Sequence, residues 1–239
     1  VTGLDGLGNV KPGVTPGIAG YFKVGAGADI GLPNVGNVFS ASGSVTIMFN
    51  TTMQDQRFEV PEQFLPLLPP GDPTVIDIFK AAPQLDGTRN VNAAAEVYFS
   101  VTIEAQLTIG GVVELNGFLQ IQVAANSGGG RLKIIGAVGG KIIGLGSVTG
   151  TLSLVATLGS SSGIVGRIHL TRVSNEIPHV SLNGELLLEL NTFSTTQSIE
   201  TFKINRDAAG RFNGFARSPT NALIAIQEQL TVVSGFKLM

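Results

Sequence analysis

Few groups in this chain can do chemistry, and their spacing limits what they can do. The two histidines, His169 and His179, sit in strand-like stretches and share their faces with polar neighbours: Arg167 and Thr171, Ser181 and Asn183. With Glu185 they could in principle supply metal ligands, but no ligand spacing supports a site. Carboxylates recur on one face as Glu185 with Glu189 and as Glu96 with Glu104. Residues four apart on one face of a strand lie about 13 Å apart. A glycosidase pair needs at most about 9.5 Å, so these carboxylates read as a solvated polar face.

No G-x-S-x-G fits at a strand-to-helix turn, where a serine nucleophile would be presented. "VGAGADIG" (24–31) has the glycines of a phosphate loop, but no strand-helix-strand unit surrounds it and no GK[ST] follows. Asp207 in "NRDAAGRFNG" is a lone acid in a hairpin turn, short of a calcium loop. Asn50 opens "NTT", a glycosylation sequon that matters only in a eukaryotic secretory pathway. We expect no catalytic residue, no cofactor and no metal, and the chain reads as a non-enzyme.

The elements that carry these groups follow from period-two alternation. In "AEVYFSVTIEAQLTI" (95–109) every odd position is apolar and every even position is polar or amphipathic. The odd face runs on through Val113, Leu115, Leu119, Ile121 and Val123, so the turn at Gly110-Gly111 has an odd number of residues. Parity then switches to Leu132, Ile134 and Val138, and continues through Leu152, Leu154, Ile164, Ile168, Leu170, Leu186, Leu188 and Leu190. That makes roughly eight to ten strands, many longer than the usual five or six residues. We expect the apolar face to point inward and Glu96 to Thr108 to face water.

Six prolines between Pro61 and Pro83 exclude a central strand there. That segment reads as an ordered loop, with a short helix or edge strand at "TVIDIFKAA". The tail "SPTNALIAIQEQLTVVSGF" suits either a helix capped by Thr220 or Asn221 or a strand.

Composition narrows the class. Of 239 residues, 43% are hydrophobic and 13% charged, against about 25% charged in soluble domains. Disorder is excluded by the same numbers. A net charge of −2, no Trp and two Tyr leave neither a basic stripe nor stacking platforms for nucleic acid. The absence of Cys rules out disulfides and thiolate chemistry. The first residues carry no basic or apolar leader, as in a mature or excised fragment. There is no apolar run long enough for a transmembrane helix. Without an aromatic girdle, a transmembrane barrel fits poorly.

An internal repeat organises the chain. "GSVTIMFNTTMQDQRFE" (43–59) matches "GELLLELNTFSTTQSIE" (184–200) at Gly, Asn, Thr, Gln and Glu, all at one offset (191 − 50 = 141). "QLTIGGVVEL" (106–115) resembles "QLTVVSGFKL" (229–238) at a shorter offset (229 − 106 = 123), with the proline-rich stretch as the extra residues. This predicts the end of one copy at 1–90, with an insert at about 61–86, a main copy at 91–205 and the start of another at 206–239. The tail is then strand, and the chain a piece of a longer tandem array.

"GSVTIMFNTT", "FLPLLPPGDPT", "GVVELNGFLQIQV", "GSVTGTLSLVATLG" and "GELLLELNTFSTTQSIETF" together resemble modules of giant extracellular tandem-repeat proteins of environmental bacteria. The resemblance implies a secreted or cell-surface, adhesin-like structural role and carries no catalytic residues. The expectation is an all-β chain of long amphipathic antiparallel strands, in an elongated sandwich or a stacked repeat sheet. Its partners would be other copies, met through strand edges. A sheet groove binding lipid or cell-surface glycans is the alternative.

Overall fold

The computed structural model describes residues 16–26, 39–68, 72–85, 87–109, 113–142, 146–174, 184–206, 208, 212–219 and 223–239. In chain order the strands are β1 (Ala19–Ala26), β2 (Phe39–Asn50), β3 (Gln56–Glu59), β4 (Val75–Ile78), β5 (Val97–Ile109), β6 (Val113–Asn126), β7 (Gly129–Ile142) and β8 (Gly146–Gly159). They continue with β9 (Gly163–Ser174), β10 (Glu185–Asn191), β11 (Ser198–Phe202), β12 (Ile204–Arg206), β13 (Phe212–Phe215), β14 (Ala225–Gln229) and β15 (Gly235–Leu238). The fold is all-β. Among the described residues one antiparallel sheet of nine strands runs β1-β2-β5-β6-β7-β8-β9-β10-β15, beside three two-stranded ribbons (β3-β4, β11-β14 and β12-β13).

Turn length sets the parity of the faces, as the alternation requires. Ile109 pairs with Val113, leaving a three-residue connection that keeps the apolar face on odd positions. Asn126 pairs with Gly129 across a two-residue turn, which moves that face to even positions. Gly129 and Gly159 pair across β7 and β8 with φ of 136° and 123°. A Cβ on Gly129 would lie 1.9 Å from the Leu158 carbonyl oxygen, so only glycine fits.

The proline-rich stretch holds a 3-10 helix, Glu62–Leu67, and "VIDI" is the strand β4, hydrogen-bonded to β3. The tail is strand: β14 pairs with β11 and β15 with β10.

One expectation is reversed. The polar face of the sheet is the covered one, and the apolar face is open. Ser100, Gln120, Gln122 and Ser153 are buried, and Tyr98 is 2% exposed. Phe99 is 45% exposed and Val123 50%.

The reason lies in what covers the sheet. The described residues of segments 51–96 and 192–234 fold back over one face, and much of their backbone is irregular. Irregular backbone brings unpaired N–H and C=O groups, which are costly against hydrocarbon. The polar face can satisfy them. Gln122 Nε2 donates to the Pro83 carbonyl at 2.8 Å. Ala82 N donates to Glu96 Oε1 at 3.0 Å, and Arg167 Nη2 to the Gln229 carbonyl at 3.1 Å.

Apolar residues scattered on the same face supply the core in three patches. Tyr98 and Ala124 meet Ile78 and Ala82. Ile135 and Ala137 meet Leu85, Phe202 and Leu223. Val165 meets Ile199 and Leu230.

Candidate functional site

The residues first considered for chemistry are dispersed into structural roles. His169 Nε2 contacts the exposed Glu185 and lies 3.2 Å from the Thr171 hydroxyl. No group of three metal-ligating side chains forms among the described residues. His179, Asp207 and residues 27–31 of the glycine-rich stretch lie outside the described residues. The carboxylates do not form a uniform solvated face. Glu104 and Glu185 are exposed, with Glu104 paired to Arg217 at 3.2 Å. Glu96 is buried and paired to Arg131 at 3.0 Å.

Glu189 is fully buried. Arg167 Nε donates to it at 2.8 Å. Thr231 N and Val232 N donate to its other oxygen at 3.1 and 3.2 Å, and so does the Thr231 hydroxyl. Burial works to raise its pKa. The bonds from Thr231 and Arg167 outweigh burial and hold the carboxyl below its ordinary value. The arrangement is a clasp that ties the second covering segment to β9 and β10.

Two corners of the sheet share one bonding pattern. At the end of β2, Asn50 Nδ2 donates to the Gln54 and Phe79 carbonyls, and its Oδ1 accepts from Thr52 N. At the end of β10, Asn191 Nδ2 donates to the Thr195 and Val233 carbonyls, and its Oδ1 accepts from Phe193 N. Next in sequence, Thr51 N donates to Ile18 O and Ile18 N to Thr51 Oγ1. Thr192 N donates to Ile164 O and Ile164 N to Thr192 Oγ1 in the same way.

These bonds align "GIAGYF" (17–22) with "GIVGRI" (163–168), a match that pattern reading passed over. They also align Tyr98, paired to Asn50, with Gly235, paired to Asn191. Gln106 lies within β5, whereas Gln229 ends β14, so the two Gln-Leu-Thr stretches occupy different places. The covering segments, 51–96 and 192–234, are nearly equal in length.

The open face is a broad apolar surface. One row across it reads Phe22, Ile47, Val101, Ile121, Ile134, Leu154, Gly166, Leu190 and Phe236. The next reads Val24, Val45, Ile103, Leu119, Gly136, Leu152, Ile168, Leu188 and Leu238. Rows on either side, from Gly20 and Phe49 to Ile164 and from Gly43 to Leu186, are also apolar or glycine. Ala105, Gly117, Gly136 and Gly150 leave a hollow of about 360 Å³ between Ile103 and Leu170. Monomeric soluble proteins rarely expose contiguous apolar faces of this breadth. No family model, curated protein or solved structure matches the chain.

Proposed function

We propose that the chain is a structural, adhesin-like module of a long secreted or cell-surface bacterial protein, built from tandem copies that continue one sheet. The shared bonding of the Asn50-Thr51 and Asn191-Thr192 corners carries this reading. It makes β9, β10 and β15 the counterparts of β1, β2 and β5. Both sets lie in the same sheet, so successive copies extend it by edge pairing instead of folding as separate beads.

Six sheet strands separate one copy from the next: β1, β2, β5, β6, β7 and β8. At about 4.8 Å per strand, each copy adds about 29 Å of ribbon. The role is mechanical and needs no catalytic group. Placement outside the cell rests on the sequence resemblance.

A tandem variant carrying one additional 146-residue unit, the spacing of Ile18 and Ile164 (164 − 18 = 146), tests this in small-angle scattering. The expected result is one continuous particle, longer by about 29 Å. Two beads joined by a loose linker would overturn it.

The hollow in the uncharged face favours a second reading, a lipid-binding sheet. On that reading organic extraction of the purified protein recovers lipid, and empty extracts count against it.

A further inference from the structure

We infer that the open apolar face is buried against the same face of a second copy of this chain, closing a β-sandwich. This rests on the structural role proposed above and names the surface through which neighbouring ribbons meet. Area is the first argument. Nine strands about 4.8 Å apart and four rows about 6.7 Å apart span about 38 by 20 Å. A second copy therefore covers about 800 Å² on each side, or about 1,600 Å² in all, the size of a stable specific interface.

Chemistry is the second argument. The rows hold no charge and no hydrogen-bonding side chain, so a like face desolvates nothing polar on either partner. Two antiparallel sheets with apolar inner faces pack in this way at about 10 Å.

Relief is the third. Phe22, Phe49 and Phe99 stand at one corner of the face, and the Gly117, Gly136 and Gly150 hollow lies beyond them. In a two-fold contact the aromatic corner of one copy enters the hollow of the other.

A bilayer is the weaker occupant. Tyr21 and Tyr98 share parity with the covered face and Trp is absent, so no interfacial belt surrounds the apolar rows. Among the described residues the outer edges of β1 and β15 have no strand partner, and hydrocarbon does not tolerate open edges.

Sedimentation velocity on the full chain, with and without Val123→Lys plus Phe236→Lys, tests the inference. Both positions are exposed in the single copy, so the substitutions leave its core intact. The expected wild type is a dimer at micromolar concentration. The double variant should dissociate at least 100-fold more readily, with unchanged far-UV circular dichroism. Leu67→Lys, a charge added at an exposed site on the 3-10 helix, should leave the dimer intact. A monomeric wild type, a dimer indifferent to the face lysines, or a monomer that yields lipid on organic extraction would each overturn the proposal. The scattering increment of the tandem variant is read separately. A lost dimer with an intact increment sinks only the face contact, and a missing increment sinks the shared-sheet reading.

Discussion

Arg167→Met should destabilise the chain by about 3–5 kcal/mol, the usual result of removing one partner from a buried ion pair. Among the described residues Arg167 is the cation that contacts Glu189, and Glu189 has no exposed surface. Without the guanidinium, Thr231 and Val232 still donate hydrogen bonds, but the charge is left uncompensated. The carboxyl then takes up a proton or draws water in, and the second covering segment loosens.

The pH dependence follows from the same clasp. The folded-state pKa of Glu189 is depressed, so its contribution is complete above the unfolded value, about 4.3. That contribution is lost as pH falls through the folded value. Urea unfolding between pH 7 and pH 3 should therefore show wild-type stability declining below about pH 4.5. Glu189→Gln should flatten part of that decline. Equal slopes in the two proteins would show that the clasp carries no charge-linked stability.

Phe202→Ala is the second large effect, at about 3–5 kcal/mol. Phe202 is 2% exposed and joins the covering layer to the sheet. Its ring meets Phe118 edge-on with centroids 4.8 Å apart, and Phe215 at 6.3 Å. Ile135 and Ala137 belong to the same cluster. Such edge-on pairs add about 0.5–1.5 kcal/mol each beyond the area they bury. Phe99→Ala, on the open face, removes the same ring from a site already 45% exposed. Measured on dilute single copies, it should cost far less. Thermal melts of the two variants side by side give the comparison, and equal costs would mean that both faces are covered.

The strands, their parity and the odd turn after Ile109 were legible because period-two alternation is a local property of the chain. The side that would be covered was not. Apolar residues usually lie inside, and that rule points the wrong way when the covering layer is irregular backbone in need of hydrogen bonds. A signal was present all the same. Phe118, Ala124, Ile135, Ala137, Val155 and Val165 interrupt the polar parity, and each belongs to or packs against the core. Glu189 shows the same limit. Its spacing from Glu185 placed both on one face, but nothing local announced that Thr231 and Val232 would close over one and not the other. The Asn-Thr corners were found as a sequence match. Their bonds to Ile18 and Ile164, which extend the match to "GIAGYF" and "GIVGRI", depend on strand pairing and became visible only in the fold.

The inverted faces can be measured directly, because the chain has no cysteine of its own. Single substitutions Ser100→Cys and Ser153→Cys report the polar face, and Val123→Cys and Ala156→Cys the apolar one. Maleimide labelling at nanomolar protein, where copies are apart, should modify Cys at 123, and more slowly at the partly exposed position 156, in the folded chain. Cys at 100 and 153 should stay protected until urea unfolds the chain. The reverse order, with 100 and 153 labelled first, would contradict the central claim that the polar face is covered and the apolar face is the one offered for assembly.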